Sequence, residues 1–283
     1  MTPTLIILIE HRMLPTDWAA TAGKVAEVLC QPCWSPLKRV GHIRPGARKQ
    51  RWAGYKKMTR SVIESYLTDP ANHAIVLDSG AADDAVAVGF VTTGVHEREP
   101  NRDPDDEWTA ADQAEWEACT TMASYVAFPH DPSLHEARLS SALTLASAME
   151  AVSGCITVEP NLRDAERLAT SGLPSIRLSE LRRKERYAHV PGRTNLSAEL
   201  SGPEWGVFLG PGHLRRLPLT KIRAAGVFDR VDEISADLAF VALTNDPMDA
   251  LRDGFDDELE QARRVLKPLL LDVSDVHVDY GPQ

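Results

Sequence analysis

Two cysteines separated by two residues, Cys30 and Cys33, form the one short motif in the sequence that could carry chemistry. Such a pair can close a redox disulfide or supply two zinc ligands. A zinc site needs a second ligand pair, but Cys119 and Cys155 are isolated, and only His42 lies near the first pair. The thioredoxin-like motif follows a strand, whereas this pair follows a predicted helix. We therefore interpret the two cysteines as structural, and an enzyme with a dispersed active site that uses them is an alternative.

Other catalytic patterns are missing from the sequence. It contains no Gly-x-Ser-x-Gly elbow, no phosphate loop and no Gly-rich Rossmann turn. Gly210 and Gly212 follow a predicted strand, but Pro211 between them lacks a backbone N–H, which favours a tight strand-to-helix turn over an anion site. His130 and His135 are the closest histidine pair, and we expect both to lie on the surface beside a helix start. We expect no catalytic residue, no metal site, no cofactor and no enzymatic activity.

Two segments concentrate negative charge in a chain whose formal net charge is −10 and whose pI is about 5.4. Residues 97–117 carry nine acidic residues against two arginines, and residues 246–260 carry seven against one. Each is either a solvated face or a patch that attracts a basic protein, where charge accelerates encounter more than it adds affinity. The candidate partner-binding residues are Asp103, Asp105, Asp106, Glu107, Asp253, Asp256 and Asp257.

A basic segment, residues 38–60, contrasts with this acidity. It contains nine Lys or Arg and no acidic residue, with Trp52 and Tyr55 interleaved. This composition is typical of a nucleic-acid-binding arm, so a nucleic-acid adaptor is a second alternative. The other interpretation is that the segment packs against acidic residues of its own chain. Because the whole chain is acidic, we expect neither nucleic acid nor an anionic membrane as a partner.

Hydrophobic patterns predict alternating strands and helices along the chain. Predicted strands are 4–9, 74–77, 85–91, 120–128, 151–158, 205–209, 227–234, 236–244 and 269–273. Predicted helices are 17–29, 59–67, 109–117, 132–148, 162–169, 213–225 and 249–266. Residues 30–60 are punctuated by proline and glycine, which predicts mostly loop.

These elements predict an α/β (α+β) protein with a largely antiparallel sheet covered by helices, in which two related halves are an open alternative. Pro191-Gly192 suggests an N-terminal α/β region, 1–195, and a C-terminal α/β region, 196–283, packed on it; one continuous domain is the other reading. The apolar run Leu5 to Ile9 is far shorter than the roughly 20 residues of a membrane helix. With few cysteines and no secretory-signal pattern, the expected location is the cytoplasm.

The C-terminal stretch Glu204 to Leu214, followed by residues 240–246 and 259–271, resembles the immunity proteins of bacterial polymorphic toxins, in particular the type VI immunity family. The shared features are a Trp-initiated strand ending in a Leu turn, a small helical segment, a strand pair, and a long helix ending in Leu-x-Pro. Leu266-Lys267-Pro268 fits the last of these. The resemblance covers residues 200–273, and its motifs are structural, since Trp205 and Phe208 are also explained as buried strand residues.

The resemblance implies a function in interbacterial competition by type VI secretion or a similar route. Such proteins bind a cognate toxin and neutralise it by blocking its active site or its assembly. The motif marks the fold and not the binding surface, so it carries no binding residue over to this chain. The expectation is a cytoplasmic toxin inhibitor whose partner is a cognate protein toxin, basic in charge.

Overall fold

The computed structural model describes residues 3–12, 18–44, 53–80, 87–92, 109, 121–163, 165, 180–188 and 198–274. Its strands are β1 (Thr4–Arg12), β2 (Arg39–Ile43), β3 (Ala53–Lys57), β4 (Ala74–Asp78), β5 (Val88–Thr92), β6 (Thr121–Pro129), β7 (Ala151–Glu159), β8 (Gly206–Leu209), β9 (Arg230–Ser235) and β10 (Leu238–Ala242). Its α-helices are α1 (Trp18–Leu29), α2 (Arg60–Thr68), α3 (His135–Ala148), α4 (Glu180–Ala188), α5 (Pro211–Arg216), α6 (Leu219–Ala225) and α7 (Phe255–Leu266). Short 3₁₀ helices cover Pro32–Trp34, Pro132–Leu134, Pro247–Leu251 and Lys267–Leu269.

All ten of these strands belong to one antiparallel sheet, in the order β3-β2-β4-β5-β6-β1-β7-β8-β10-β9. The central strand is β1, where Ile7 lies opposite Val126 of β6 on one side and Ile156 of β7 on the other. Its apolar, β-branched run suits a strand with both faces buried. The predicted class, a mixed fold with a largely antiparallel sheet covered by helices, is confirmed.

Alternation along β1 divides the core between the two faces of the sheet. Leu5, Ile7 and Ile9 point to the face that α1, α2 and α3 cover, and they belong to the largest buried cluster. Ile6 and Leu8 point the other way, into two smaller clusters. The N-terminal part of the sheet therefore has its main core on the face with the three helices.

The C-terminal strands continue the same sheet, because β8 pairs with β7 and Val207 lies opposite Cys155. Phe208 and Phe240 pack against each other across β8 and β10, with ring centroids 5.0 Å apart and an angle of 49° between the ring planes. Gly210 ends β8 so close to β7 that a Cβ there would collide with the carbonyl of Val152, and α5 begins at Pro211. The expected tight strand-to-helix turn at this glycine is confirmed. The boundary near residue 195 stays a prediction.

Several predicted elements differ from the structure. The described residues of 30–60 are not mostly loop, since they contain a 3₁₀ turn, β2 and β3 at the edge of the sheet, and residues 45–52 lie outside them. Residues 269–273 do not form a strand: Leu270 makes an isolated bridge to Leu200. The last helix begins at Phe255 and not at residue 249, because Gly254 takes a left-handed conformation with φ 86°. The predicted helix 109–117 lies outside the described residues, apart from Thr109.

None of the helices in the described part of the chain combines the length and the apolar content that a membrane span needs.

Candidate partner-binding surface

The second acidic segment forms a turn, which we call the acidic turn and define as residues 246–258. Asp246 accepts a hydrogen bond from the backbone N–H of Met248 and starts the 3₁₀ helix Pro247–Leu251. In α7, the apolar residues Phe255 and Leu259 are buried, and they fix which side of the helix faces the protein. The charged residues between them are therefore held toward solvent.

Part of this acidity is used within the protein. Arg252 pairs with Glu258 and lies 4.0 Å from Asp249, and Asp256 lies 3.5 Å from Arg182 of α4. The first turn of α7 holds Asp256, Asp257 and Glu258, where carboxylates favour the positive end of the helix dipole. A local structural reason thus exists for several of these acidic residues.

Asp253 and Asp257 differ from their neighbours. Both are exposed, and neither has an ion-pair partner among the described residues. Leu251, two residues before Asp253, is 42% exposed, although it is a large apolar side chain. An exposed leucine close in sequence to two carboxylates that have no ion-pair partner in the described part of the chain combines an apolar anchor with negative charge, which suits a partner with basic residues around an apolar patch.

The first group of acidic candidates, Asp103, Asp105, Asp106 and Glu107, lies outside the described residues. Of the candidates in the described residues, the structure brings Asp253, Asp256 and Asp257 together at the start of α7. Of these three, Asp256 has a cation within ion-pair distance and the other two are the better candidates.

The cysteine motif lies at the end of α1, as predicted. Cys33 is buried, with its Sγ 3.1 Å from Oγ of Ser141, and Cys30 is partly buried. Burial raises the pKa of the Cys30 thiol, although Arg60 partly opposes this shift. A higher pKa lowers the fraction of reactive thiolate. No group of three or more His, Cys, Asp or Glu in the described residues is arranged to hold a metal ion.

The prediction that His130 and His135 lie on the surface is wrong. Both are partly buried, and their ring centroids are 6.2 Å apart. The ring of His135 packs edge-on against Trp205, 5.8 Å between centroids. Burial is the main cause that lowers the pKa of both imidazoles. Sequence spacing missed this because Trp205, the residue that covers His135, lies 70 positions further along the chain.

The arginines of the basic segment bind acidic residues of the same chain. Arg39 makes a two-pronged contact with Asp78, at 2.8 and 3.1 Å, Arg44 binds Asp69 at 2.9 Å, and Arg60 lies 3.3 Å from Glu27. These pairs support the interpretation that the segment packs against its own acidic residues, and residues 45–52 lie outside the described part of it. The nucleic-acid alternative loses Arg39 and Arg44 to internal pairing, whereas the pair of Arg60 with Glu27 is exposed.

Sequence reasoning missed a buried polar network between α4 and α7. Arg263 donates from Nε and Nη2 to the two carboxylate oxygens of Glu185, at 2.7 Å each. Beside this pair, Thr157 donates to Glu204 at 2.8 Å, and Arg182 lies 3.7 Å from Glu204. Burial raises the pKa of Glu185, with Arg263 acting in the opposite direction. The partners are too far apart in sequence for any pattern to reveal them.

A groove of about 940 Å³ lies between α1, α3 and the edge strand β9. Lys24, Arg223 and Arg230 line it together with Glu27, Asp232 and Glu233, so its formal charges balance. No sequence pattern predicts this groove, since its walls come from three distant segments. Its balanced charge selects no class of partner.

Comparison with known proteins gives one informative result. No protein-family model matches the sequence, and no curated protein sequence matches it at a significant level. Among solved structures, the chain is similar to the T6SS protein PA0821 of Pseudomonas aeruginosa, with a TM-score of 0.57 and 12% sequence identity. The match covers 99% of this chain and 76% of that protein. At this identity the likeness shows a shared fold.

Proposed function

We propose that this chain is a cytoplasmic, non-enzymatic immunity protein that binds and neutralises a cognate toxin of a type VI or similar secretion system. The observation that carries the proposal is the fold shared with a T6SS protein over 99% of the chain. The resemblance of residues 200–273 to type VI immunity proteins supports it independently, because it rests on sequence features. Neither observation depends on the charge pattern.

The acidic turn is the surface that we assign to the toxin. Asp253 and Asp257 are exposed and unpaired among the described residues, and Leu251 next to them presents apolar area to solvent. Carboxylates at the rim of an interface raise the association rate with a basic partner, whereas a leucine inserted in a pocket of the partner lowers the dissociation rate. This division of roles is testable.

The absence of enzymatic activity is part of the proposal. Its support is the raised pKa of Cys30 and the burial of Cys33, which leave the cysteine motif without an exposed, reactive thiolate. Inhibition by binding requires only a complementary surface.

Co-expression tests the proposal. The chain is produced together with the product of the adjacent gene, and both complex formation and rescue of growth are measured. We expect a stable complex and full rescue by the wild-type chain, and weaker rescue by Leu251→Ser at limiting expression. Leu181→Ser is the matched control, since Leu181 is exposed to a similar degree on α4. Failure to form a complex and to restore growth would remove the immunity function.

A further inference from the structure

A second concave site lies at the edge of the sheet that β2 and β3 form, away from β7, which the 3₁₀ helix of the acidic turn contacts. It is a pocket of about 610 Å³ between the end of α1, the edge of β2 and β3, and the start of α2. We call it the basic pocket. Three cationic side chains, Lys38, Lys57 and Arg60, line it, and no acidic residue does. The pocket is therefore a local positive site on a protein with a formal net charge of −10.

Backbone hydrogen bonds and regular elements hold the main chain of these three residues in place. The N–H of Lys38 donates to the carbonyl of Asp78, and the N–H of Met58 donates to the carbonyl of Lys38, both at 2.8 Å. Lys57 lies on β3 opposite Arg39 of β2, and Arg60 is the first residue of α2. Three separate segments thus contribute cationic residues to the walls of one pocket.

Internal pairing leaves most of this charge available. Neither Lys38 nor Lys57 has a carboxylate partner in the described part of the chain. Arg60 lies 3.3 Å from Glu27, but both side chains are more than half exposed, and such pairs contribute little and exchange readily with solvent ions. Arg39 and Arg44 of the same segment are bound to Asp78 and Asp69, whereas Lys38 and Lys57 in the pocket make no ion pair among the described residues.

The walls indicate the size and polarity of a ligand. Leu37 and Met58 supply apolar surface, and Ser35 adds a hydroxyl. Ligand pockets of roughly 300–1,000 Å³ accommodate small organic molecules, and a few polar groups fix their orientation. Cationic residues in the wall of a pocket suit a phosphate, which accepts charge-assisted hydrogen bonds on several oxygens.

We propose that the basic pocket binds a phosphate group, either free or carried by a small organic molecule, through Lys38, Lys57 and Arg60. The site goes beyond the proposed toxin binding, from which it is separate in the fold.

Titration calorimetry at low salt with inorganic phosphate and phenyl phosphate tests the proposal, with phenol as the uncharged control. We expect saturable binding of both phosphates and none of phenol. Tighter binding of phenyl phosphate identifies an organic phosphate as the ligand, and equal affinity identifies free phosphate. The double variant Lys38→Gln with Lys57→Gln should weaken binding at least tenfold.

The matched control is Lys221→Gln with Lys267→Gln, which removes two exposed lysines elsewhere and should change affinity less than twofold. Thermal unfolding of all three proteins checks that each variant is folded. Unchanged binding in the Lys38 and Lys57 variant, or no saturable phosphate binding by the wild type, would overturn the proposal. Tighter, steeply salt-dependent binding of a DNA duplex would overturn it in favour of nucleic acid.

Discussion

Helix α7 carries charged side chains in two contrasting environments. At its start Asp257 is exposed without an ion-pair partner among the described residues, whereas Arg263, near its end, is only 13% exposed and grips Glu185 with two hydrogen bonds. Both residues are charged positions on one amphipathic helix, and the sequence does not distinguish them. Their environments distinguish them, because a buried ion pair contributes to the native packing, whereas an exposed carboxylate is accessible to a binding partner.

The largest change in the free energy of unfolding is expected for the buried ion pair near the end of α7. Arg263→Met leaves the Glu185 carboxylate, 7% exposed, without its two donors, which costs about 3–5 kcal/mol of unfolding free energy for a broken buried pair. The deficit relative to the wild type should shrink at lower pH, because protonation removes the unpaired charge. Urea unfolding at pH 7 and pH 5 measures both effects.

Arg264→Met is the matched control for that experiment. Arg264 follows directly on the same helix but is 75% exposed and lies 3.8 Å from Glu260, so its loss should change stability by less than about 0.5 kcal/mol. The double change Arg263→Met with Glu185→Met should recover most of the lost stability, since two apolar side chains leave no unpaired charge. If the two single variants lose equal stability, the contrast along α7 is wrong.

A buried histidine, His213, makes the stability of the protein depend on pH. His213 is fully buried, and its Nδ1 accepts a hydrogen bond from the N–H of Gly210 at 3.2 Å, which requires the neutral ring. Burial lowers its pKa from 6.5 to about 4. The histidine therefore binds a proton below about pH 6.5 in the unfolded chain but only below about pH 4 in the folded protein. The free energy of unfolding falls by about 3 kcal/mol as the pH decreases across this window.

Denaturant unfolding between pH 7 and pH 4 measures this loss. His213→Asn keeps an acceptor near the position of Nδ1 but cannot titrate, so the decline should be shallower in this variant than in the wild type. The difference between the two proteins isolates His213 from His130 and His135, whose lowered pKa values act in the same direction. Parallel stability curves would contradict the role of His213.

The sequence predicted the fold better than the surface. β1 was found because its apolar, β-branched residues form one continuous run. The helix predicted from residue 59 begins at Arg60, and Thr59 is its N-cap in the structure. The edge strands β2 and β3 were missed because a short strand at a sheet edge, between glycines and prolines, has no such run. Pairing between distant charges, such as Arg39 with Asp78, has no local signal at all.

The smallest effect on stability, and the most specific effect on function, is expected at the exposed start of α7. Changing Asp253 and Asp257 together to asparagine should alter the free energy of unfolding by less than about 0.5 kcal/mol, because neither has an ion-pair partner in the described residues. Association with a basic toxin should slow several-fold at low salt, and the difference should fade at high salt as the charges are screened. Stopped-flow mixing with the co-expressed partner measures the rate.

Asp237→Asn provides the comparison, because Asp237 is an exposed carboxylate in the β9–β10 hairpin, away from the acidic turn. If the toxin is attracted by the net charge of the whole protein, each removed carboxylate should slow association equally in both variants. If it is attracted by the acidic turn in particular, association should slow only in the Asp253 and Asp257 variant. The dissociation rate should stay nearly constant in both, since rim charges act mainly on encounter. An equal effect per charge would mean that the acidic turn attracts the toxin only as part of the whole protein's field, and the interface would then have to lie elsewhere.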